Sequence, residues 1–349
     1  MNNVSRLFTE FGQSIWLDDL SHELLESGKL QQYINDGVRG LTSNPSILEK
    51  AIVESSAYDE KIKVLAKQGL STKEIYLNII EGDIKQATEL FRPLWDSSGQ
   101  SDGFVSLEVS PDLSNDFDGT MAEARRMWTD INAPNLMIKV PATEAGIKSI
   151  EPLLAEGINV NVTLIFGADQ YRQVVAAYQR GISAKHPSKP KSVASFFVSR
   201  IDTEVDKRLE AIGGNALDLR GQAAIASAHL IYEFFRDTFK DKEQVQRLLW
   251  ASTSVKNTGY DDLMYIRYLV APNTVNTTPH DTVDKTNDHL APDTIAINDS
   301  YITHAHQFLE ELKSTGVDMD DVVETLKAEG LKKFQDAFTT LLAAIDSKR

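Results

Sequence analysis

Eight short β-type runs separated by helical patterns, a first strand with no glycine-rich phosphate loop behind it, and polar residues gathered at strand ends predict the fold. They point to an α/β protein, a (β/α)8 TIM barrel with extra helices at 45–100 and at the C-terminus. A doubly wound open sheet is the rival, but its usual phosphate loop is missing: the first strand runs into "DDLSHELL".

The runs are "SIWLDD" at 14–19, "VRGLTSN" at 38–44, "GFVSLEVS" at 103–110 and "NLMIKVP" at 135–141. They continue with "INVNVTLIF" at 158–166, "SVASFFVS" at 192–199, "LLWAST" at 248–253 and "NTVNT" at 273–277. Each is rich in β-branched or apolar residues and bounded by turn formers. Between them lie amphipathic segments such as "TMAEARRMWTDI", "ADQYRQVVAAYQRGI" and "YDDLMYIRYLV". "TEAGIKSIEPLLAEG" opens on Thr143 as an N-cap and closes on Gly157. Residues 45–100 read as two or three helices where one would suffice, and 299–349 as two more. With no repeat, low-complexity run or Pro/Gly-rich linker, 1–349 reads as a single domain.

Composition narrows the function. The chain has 349 residues, 42% hydrophobic and 25% charged, an ordinary globular balance. It contains no cysteine, which excludes disulfides, thiolate metal sites and thiol nucleophiles. A net charge of −15 repels nucleic acid and anionic membranes, but not a small anion held by a few local cations. The N-terminus lacks a signal-peptide core and reads as an amphipathic helix, and no apolar run approaches a membrane span. A cytoplasmic protein is expected.

Barrel enzymes keep their chemistry at the carboxyl ends of the strands. Here those ends hold Asp18, Asn44, Glu108, Lys139, Asn161 with Thr163, Ser195, and Ser254 with Lys256. Period-2 alternation puts Asn161 and Thr163 on one face, and Ser195 and Phe197 on another. Each has a plainer reading. Asp18 could be a helix cap, Asn44 before Pro45 a turn, Thr163 a strand former, and Glu108 with Lys139 a structural ion pair. Taken together, converging polar groups with an acid beside an amine are what a catalytic barrel requires. His304 and His306 point to different sides of a helix, His280 and His289 fall in a polar segment, and no acidic cluster has ligand spacing, so no metal is expected.

An ammonium is costly to bury, and desolvation favours the free amine, which can attack a ketone to give a Schiff base. The protonated imine stabilises negative charge on the next carbon, so the neighbouring C–C bond can break without a metal. Glu108 would shuttle protons and Asp18 would supply a second carboxylate. Lys139 is the proposed nucleophile.

The chain also resembles the transaldolases, the longer variant in particular. The likeness runs from "SIWLDDL" through "VRGLTSNPSIL", "VSLEVSP", "LMIKVPATEAG" and "GINVNVTLIF" to "ASFFVSRID" and "LLWASTSVKN". The resemblance implies roles by position. Lys139 matches the Schiff-base lysine, and Glu108 and Thr163 the pair that holds a water used as acid/base. Asp18 matches the base that takes the proton from the C4 hydroxyl of the ketose. Asn44 and Asn161 match amides that bind the dihydroxyacetone unit, and Ser195 lies where its terminal hydroxyl is held. Arg200 matches the main phosphate-binding arginine, and Ser254 and Lys256 align with a second phosphate contact. Lys256 departs from the arginine of the shorter forms, and a lysine cannot make the bidentate fork.

The implied reaction interconverts fructose 6-phosphate and erythrose 4-phosphate with sedoheptulose 7-phosphate and glyceraldehyde 3-phosphate, with no cofactor. Its partners are small sugar phosphates, with pairing into a homodimer left open. A close rival is an aldolase that releases free dihydroxyacetone. Phe197 offers no proton to the enamine, and Phe197→Tyr should then raise release relative to transfer. A non-catalytic sugar-phosphate-binding barrel would have no use for Lys139, Glu108 and Asp18 together.

Overall fold

The computed structural model describes residues 1–184, 186–290 and 296–349. Eight parallel strands close into a barrel in sequence order. They are β1 (Gln13–Asp18), β2 (Gly40–Thr42), β3 (Phe104–Glu108), β4 (Leu136–Pro141), β5 (Val160–Ile165), β6 (Ser192–Phe197), β7 (Gln246–Ala251) and β8 (Thr274–Thr278). All eight strands fall within or beside the runs read from the sequence. Nearly every strand residue is buried, as expected where side chains fill the barrel on one face and meet helices on the other.

Helix α1 (Asn3–Phe11) precedes the barrel, and α2 (His22–Glu26) and α3 (Lys29–Asn35) follow β1. Three helices, α4 (Pro45–Val53), α5 (Asp59–Lys67) and α6 (Thr72–Ser97), occupy the 45–100 insertion. Then come α7 (Phe117–Ile131), α8 (Glu144–Ala155), α9 (Ala168–Ser183), α10 (Ser199–Ile212) and α11 (Ala223–Phe239). The set ends with α12 (Met264–Arg267), α13 (His280–His289), α14 (Asp299–Ser314) and α15 (Met319–Lys348). Thr143 caps α8 as expected, its side chain accepting from the Gly146 amide. Ser71 and Glu74 form a reciprocal capping box on α6.

One expectation needs correction. The amphipathic "YDDLMYIRYLV" forms only the single turn of α12. Its tyrosines are held elsewhere: Tyr260 donates to Asp206 at 2.6 Å and Tyr265 to Asp202 at 2.7 Å. The polar segment after β8 is itself a helix, α13, with His280 and His289 at its ends. His280 lies 3.1 Å from Asp19 and His289 3.0 Å from Asp262.

At the amino end of the barrel, buried Asp102 gathers four donors. Ser14 Oγ reaches it at 2.6 Å, Arg39 Nε at 2.7 Å, Trp16 Nε1 at 3.1 Å and Arg247 Nη1 at 3.2 Å. This charge-assisted cluster ties the segments around β1, β2, β3 and β7 together far from the carboxyl-end site.

The insertion and the C-terminal helix explain each other. α15 packs on α4, α6 and α10 and reaches β5. Arg208 of α10 pairs with Asp321 at 2.7 Å, and the rings of Tyr76 and Phe338 meet edge to face at 5.3 Å. At its far end, Lys348 donates to the carbonyls of Ile52 and Ser55 at 2.9 and 2.8 Å and pairs with Asp59 at 2.7 Å. The extra helices of 45–100 are the dock that holds α15 across the barrel mouth. No helix among the described residues is long and apolar enough to cross a membrane.

Candidate active site

Parallel pairing sets Glu108 of β3 directly beside Lys139 of β4, and Lys139 beside Asn161 of β5. Lys139 is 4% exposed and Glu108 5%. Lys139 Nζ lies 2.9 Å from Glu108 Oε2 and donates to the Ser43 carbonyl at 2.9 Å. The contact with Glu108 is a close ion pair, but Oε2 accepts no well-directed hydrogen bond. Burial pushes the Glu108 carboxyl up, and Lys139 opposes the shift. The acid and amine that the sequence set on neighbouring strands thus meet in one contact.

Asp18 ends β1. Protein surrounds it on nearly every side, although the cleft leaves part of its surface open. It accepts from Thr42 Oγ1 at 2.6 Å, and Thr42 in turn meets Thr277 Oγ1 at 2.7 Å. Burial raises the Asp18 carboxyl, with Lys139 and Thr42 pulling the other way. A carboxylate with a raised pKa, near an amine, suits proton abstraction near neutral pH.

Asn44 does two jobs. Its Oδ1 caps α4 by accepting from the amides of Ser46 and Ile47, both at 3.1 Å, and its side chain also reaches Asp18. Beneath the cleft, Ser195 Oγ donates to Asn161 Oδ1 at 2.7 Å, and Asn161 Nδ2 donates to Ser106 Oγ at 3.0 Å. The chain of bonds fixes the orientation of the Asn161 amide. Thr163 Oγ1 is buried and has no hydrogen-bond partner among the described residues.

The strand breaks register just past Thr163. Pairing with β6 shifts between Val162 and Ile165, and Leu164 sits at φ +59°, a left-handed conformation costly for a leucine. Gln170 satisfies the freed backbone. Its Nε2 donates to the carbonyls of Ala142 and Leu164 at 2.8 and 3.0 Å, and its Oε1 accepts from the Phe166 amide at 3.0 Å.

A cleft of about 250 Å³ opens over these groups, walled by Asp18, Asn44, Lys139, Thr163, Ser195, Phe197 and Arg200. Phe197 packs its ring 5.2 Å from Phe166. Arg200, at the start of α10, is half-buried with its guanidinium 5.2 Å above the Phe197 ring. Every other arginine has a carboxylate within 4 Å, but Arg200 has none among the described residues. A half-desolvated guanidinium that faces a cleft without a salt-bridge partner can receive an external anion. Ser254 and Lys256 stand outside the cleft wall, where Lys256 Nζ donates to Ser254 Oγ at 2.7 Å. Lys256 remains electrostatically close to Arg200 and Asp18.

Several lining residues went unnamed in the sequence. Thr42 stands in the "TSNPS" stretch, and Thr277 is the next-to-last residue of β8, so the strand-end rule could have found both. Lys50, Lys333 and Phe334 also line the cleft, and no local pattern marks them. A separate, larger hollow of about 790 Å³ lies on the outer side, between α8, α9, α11 and α15, away from Lys139. Among the described residues no three His, Asp or Glu side chains are grouped as metal ligands would be.

A closed parallel barrel with a buried amine and two carboxylates at its carboxyl end defines the class: an aldolase-type barrel enzyme. The family model described as Transaldolase/Fructose-6-phosphate aldolase matches residues 15–345. A transaldolase of Mycolicibacterium paratuberculosis is 46% identical, the match covering 95% of this chain and 93% of the relative. Transaldolases of Mycobacterium tuberculosis and Mycobacterium leprae are each 44% identical over 95% of this chain, with 93% and 92% of their own lengths covered. The chain belongs to the transaldolase/fructose-6-phosphate aldolase family, and its activity is that of a transaldolase.

Proposed function

We propose that Lys139 is the covalent centre of this activity and that the groups around it divide the remaining work. The free amine adds to the C2 carbonyl of fructose 6-phosphate, and loss of water gives the imine. Glu108 moves the protons of addition and dehydration, with Thr163 Oγ1 holding the water between them. Asp18 takes the proton of the C4 hydroxyl. The C3–C4 bond then breaks, its electron pair entering the iminium to leave an enamine on Lys139, and glyceraldehyde 3-phosphate departs. Addition of that enamine to the aldehyde carbon of erythrose 4-phosphate, followed by imine hydrolysis, yields sedoheptulose 7-phosphate. Asn44, Asn161 and Ser195 hold the three-carbon unit, and Arg200 holds the phosphate, with Ser254 and Lys256 as outer contacts.

The observation that carries this reading is the placement of Lys139 Nζ 2.9 Å from Glu108, with Asp18 in the same cleft. Phe197 lines that cleft without a proton to give, which favours transfer over release of dihydroxyacetone. We take 1–349 as one domain, since α15 closes back on the barrel it follows.

Steady-state kinetics test the reading. Varying fructose 6-phosphate at several fixed erythrose 4-phosphate concentrations should give parallel double-reciprocal lines, the mark of an enzyme-bound intermediate. Intersecting lines, or dihydroxyacetone appearing as fast as glyceraldehyde 3-phosphate with acceptor present, would count against it.

A further inference from the structure

The cleft has a wall that the barrel does not supply. Lys333 and Phe334 of α15 line it together with Asp18, Lys139 and Arg200. The Phe334 ring lies between the two functional cations, its centroid 5.7 Å from Lys139 Nζ and 5.9 Å from the Arg200 guanidinium carbon. One turn earlier the helix presses on Arg200. A Cβ on Gly330 would stand 3.2 Å from Arg200 Nη1, 3.2 Å from Phe166 Cζ and 3.3 Å from Leu164 Cδ2. A side chain at this position would crowd the guanidinium, which would have to give by a few tenths of an ångström.

Lys333 makes no ion pair or hydrogen bond among the described residues. Together with Arg200 it disfavours the charged form of Lys256, second only to burial, which places all three cations at one side of the mouth. In a chain of net charge −15, these three cations stand close enough to oppose one another's charge, and the nearby carboxylates, Glu108 and Glu329 at Arg200 and Asp18 at Lys256, make no salt bridge with any of them, which leaves their charge available to an arriving anion. Lys50 also lines the cleft but is not among the charges acting on Lys256, and it sits on α4 beside Asn44 and Ser46.

We propose that Lys333 is a further phosphate-binding residue, so that the C-terminal helix contributes directly to the substrate site and to the preference for phosphorylated sugars. This rests on the Schiff-base reading above and on Arg200 as the phosphate's main contact. The helix brings Lys333 over the mouth because the insertion anchors it at Ile52, Ser55 and Asp59, so the two parts of the chain that a minimal barrel lacks act together on substrate choice.

The test compares fructose 6-phosphate with unphosphorylated D-fructose as donor, using kcat/KM for the donor, which in a ping-pong scheme reports the first half-reaction alone. Lys333→Gln should lower kcat/KM for fructose 6-phosphate about tenfold more than for D-fructose, the scale of one charge-assisted contact. Lys333→Arg should restore most of that difference, and inorganic phosphate should inhibit Lys333→Gln more weakly than wild type. Equal losses for both donors, or no change for either, would overturn the proposal. Arg200→Gln measured in parallel separates the two levels. If it discriminates between the donors and Lys333→Gln does not, the role of Lys333 alone is wrong. If neither discriminates, the phosphate seat itself has been misplaced and the inference falls with it.

Discussion

Lys139 and Glu108 face each other on adjacent, in-register strands with 2.9 Å between amine and carboxylate, and both side chains are almost wholly buried. A buried pair of this kind contributes little net stability, because desolvation offsets its attraction. On the mechanism proposed above its value lies in chemistry, with the carboxylate taking and returning the protons that imine formation and hydrolysis require.

Glu108→Gln keeps the shape and removes the proton shuttle. The expected outcome is a fall in kcat of about 10²- to 10⁴-fold, with the folded state intact by circular dichroism. A kcat within about threefold of wild type would remove Glu108 from the proton-transfer path, since that is far less than loss of a general acid–base costs.

In the proposed mechanism Asp18 must be ionised to accept a proton from the C4 hydroxyl. Burial raises its pKa, so activity is lost as pH falls through a value above the ordinary carboxylate range. The acid limb of kcat/KM for fructose 6-phosphate should therefore lie above the ordinary ~4 of an aspartate. Asp18→Asn should lower the whole profile by about 10²-fold or more and flatten that limb. An unchanged limb in the variant would assign the titration to another group.

How much of this was legible beforehand differs by element. The strands were readable because parallel strands buried on both faces leave near-continuous apolar runs, and Lys139 stood out against one of them. Asp18, Glu108, Asn161 and Ser195 followed from the strand-end rule. Helix α13 was not readable, since "HDTVDKTNDH" offers only Thr282, Val283 and Thr286 to the core and no apolar stripe. α12 misled in the other direction: its apolar spacing is real, but the segment makes a single helical turn, with Tyr265 and the preceding Tyr260 bonded to Asp202 and Asp206. Lys333 and Phe334 were hidden because a helix that packs across the mouth carries its site residues on the same face as its ordinary core contacts.

The bulge after Thr163 makes a stability prediction. Gln170→Leu orphans the Phe166 amide and the carbonyls of Ala142 and Leu164 in a buried setting. At about 1–3 kcal/mol for each unsatisfied group, urea denaturation should show a loss of about 3 kcal/mol or more, and kcat should fall as Thr163 shifts. A change under about 0.5 kcal/mol, the range of an ordinary surface substitution, would mean the bulge is held by something else.

Asp202 adds a pH dependence. Burial raises its pKa from 3.8 to about 6, although the Ala224 amide and Tyr265 hydroxyl oppose the shift. The folded state then binds this proton more tightly than the unfolded chain does. Its contribution is full below the unfolded value and is lost as pH rises through about 6, a swing on the order of 2–3 kcal/mol. Asp202→Asn has no such proton, so the difference in unfolding free energy between wild type and variant should move in the variant's favour from pH 4 to pH 7. Parallel stability curves over that range would contradict the assignment.

The most direct test of the central claim is covalent. The protein is incubated with fructose 6-phosphate, with and without borohydride, and measured by intact mass and peptide mapping. A reduced three-carbon adduct on the peptide carrying Lys139, absent from a folded Lys139→Met variant, is the predicted result. No adduct on any lysine of the folded protein, or a stable adduct on a different one, would contradict it.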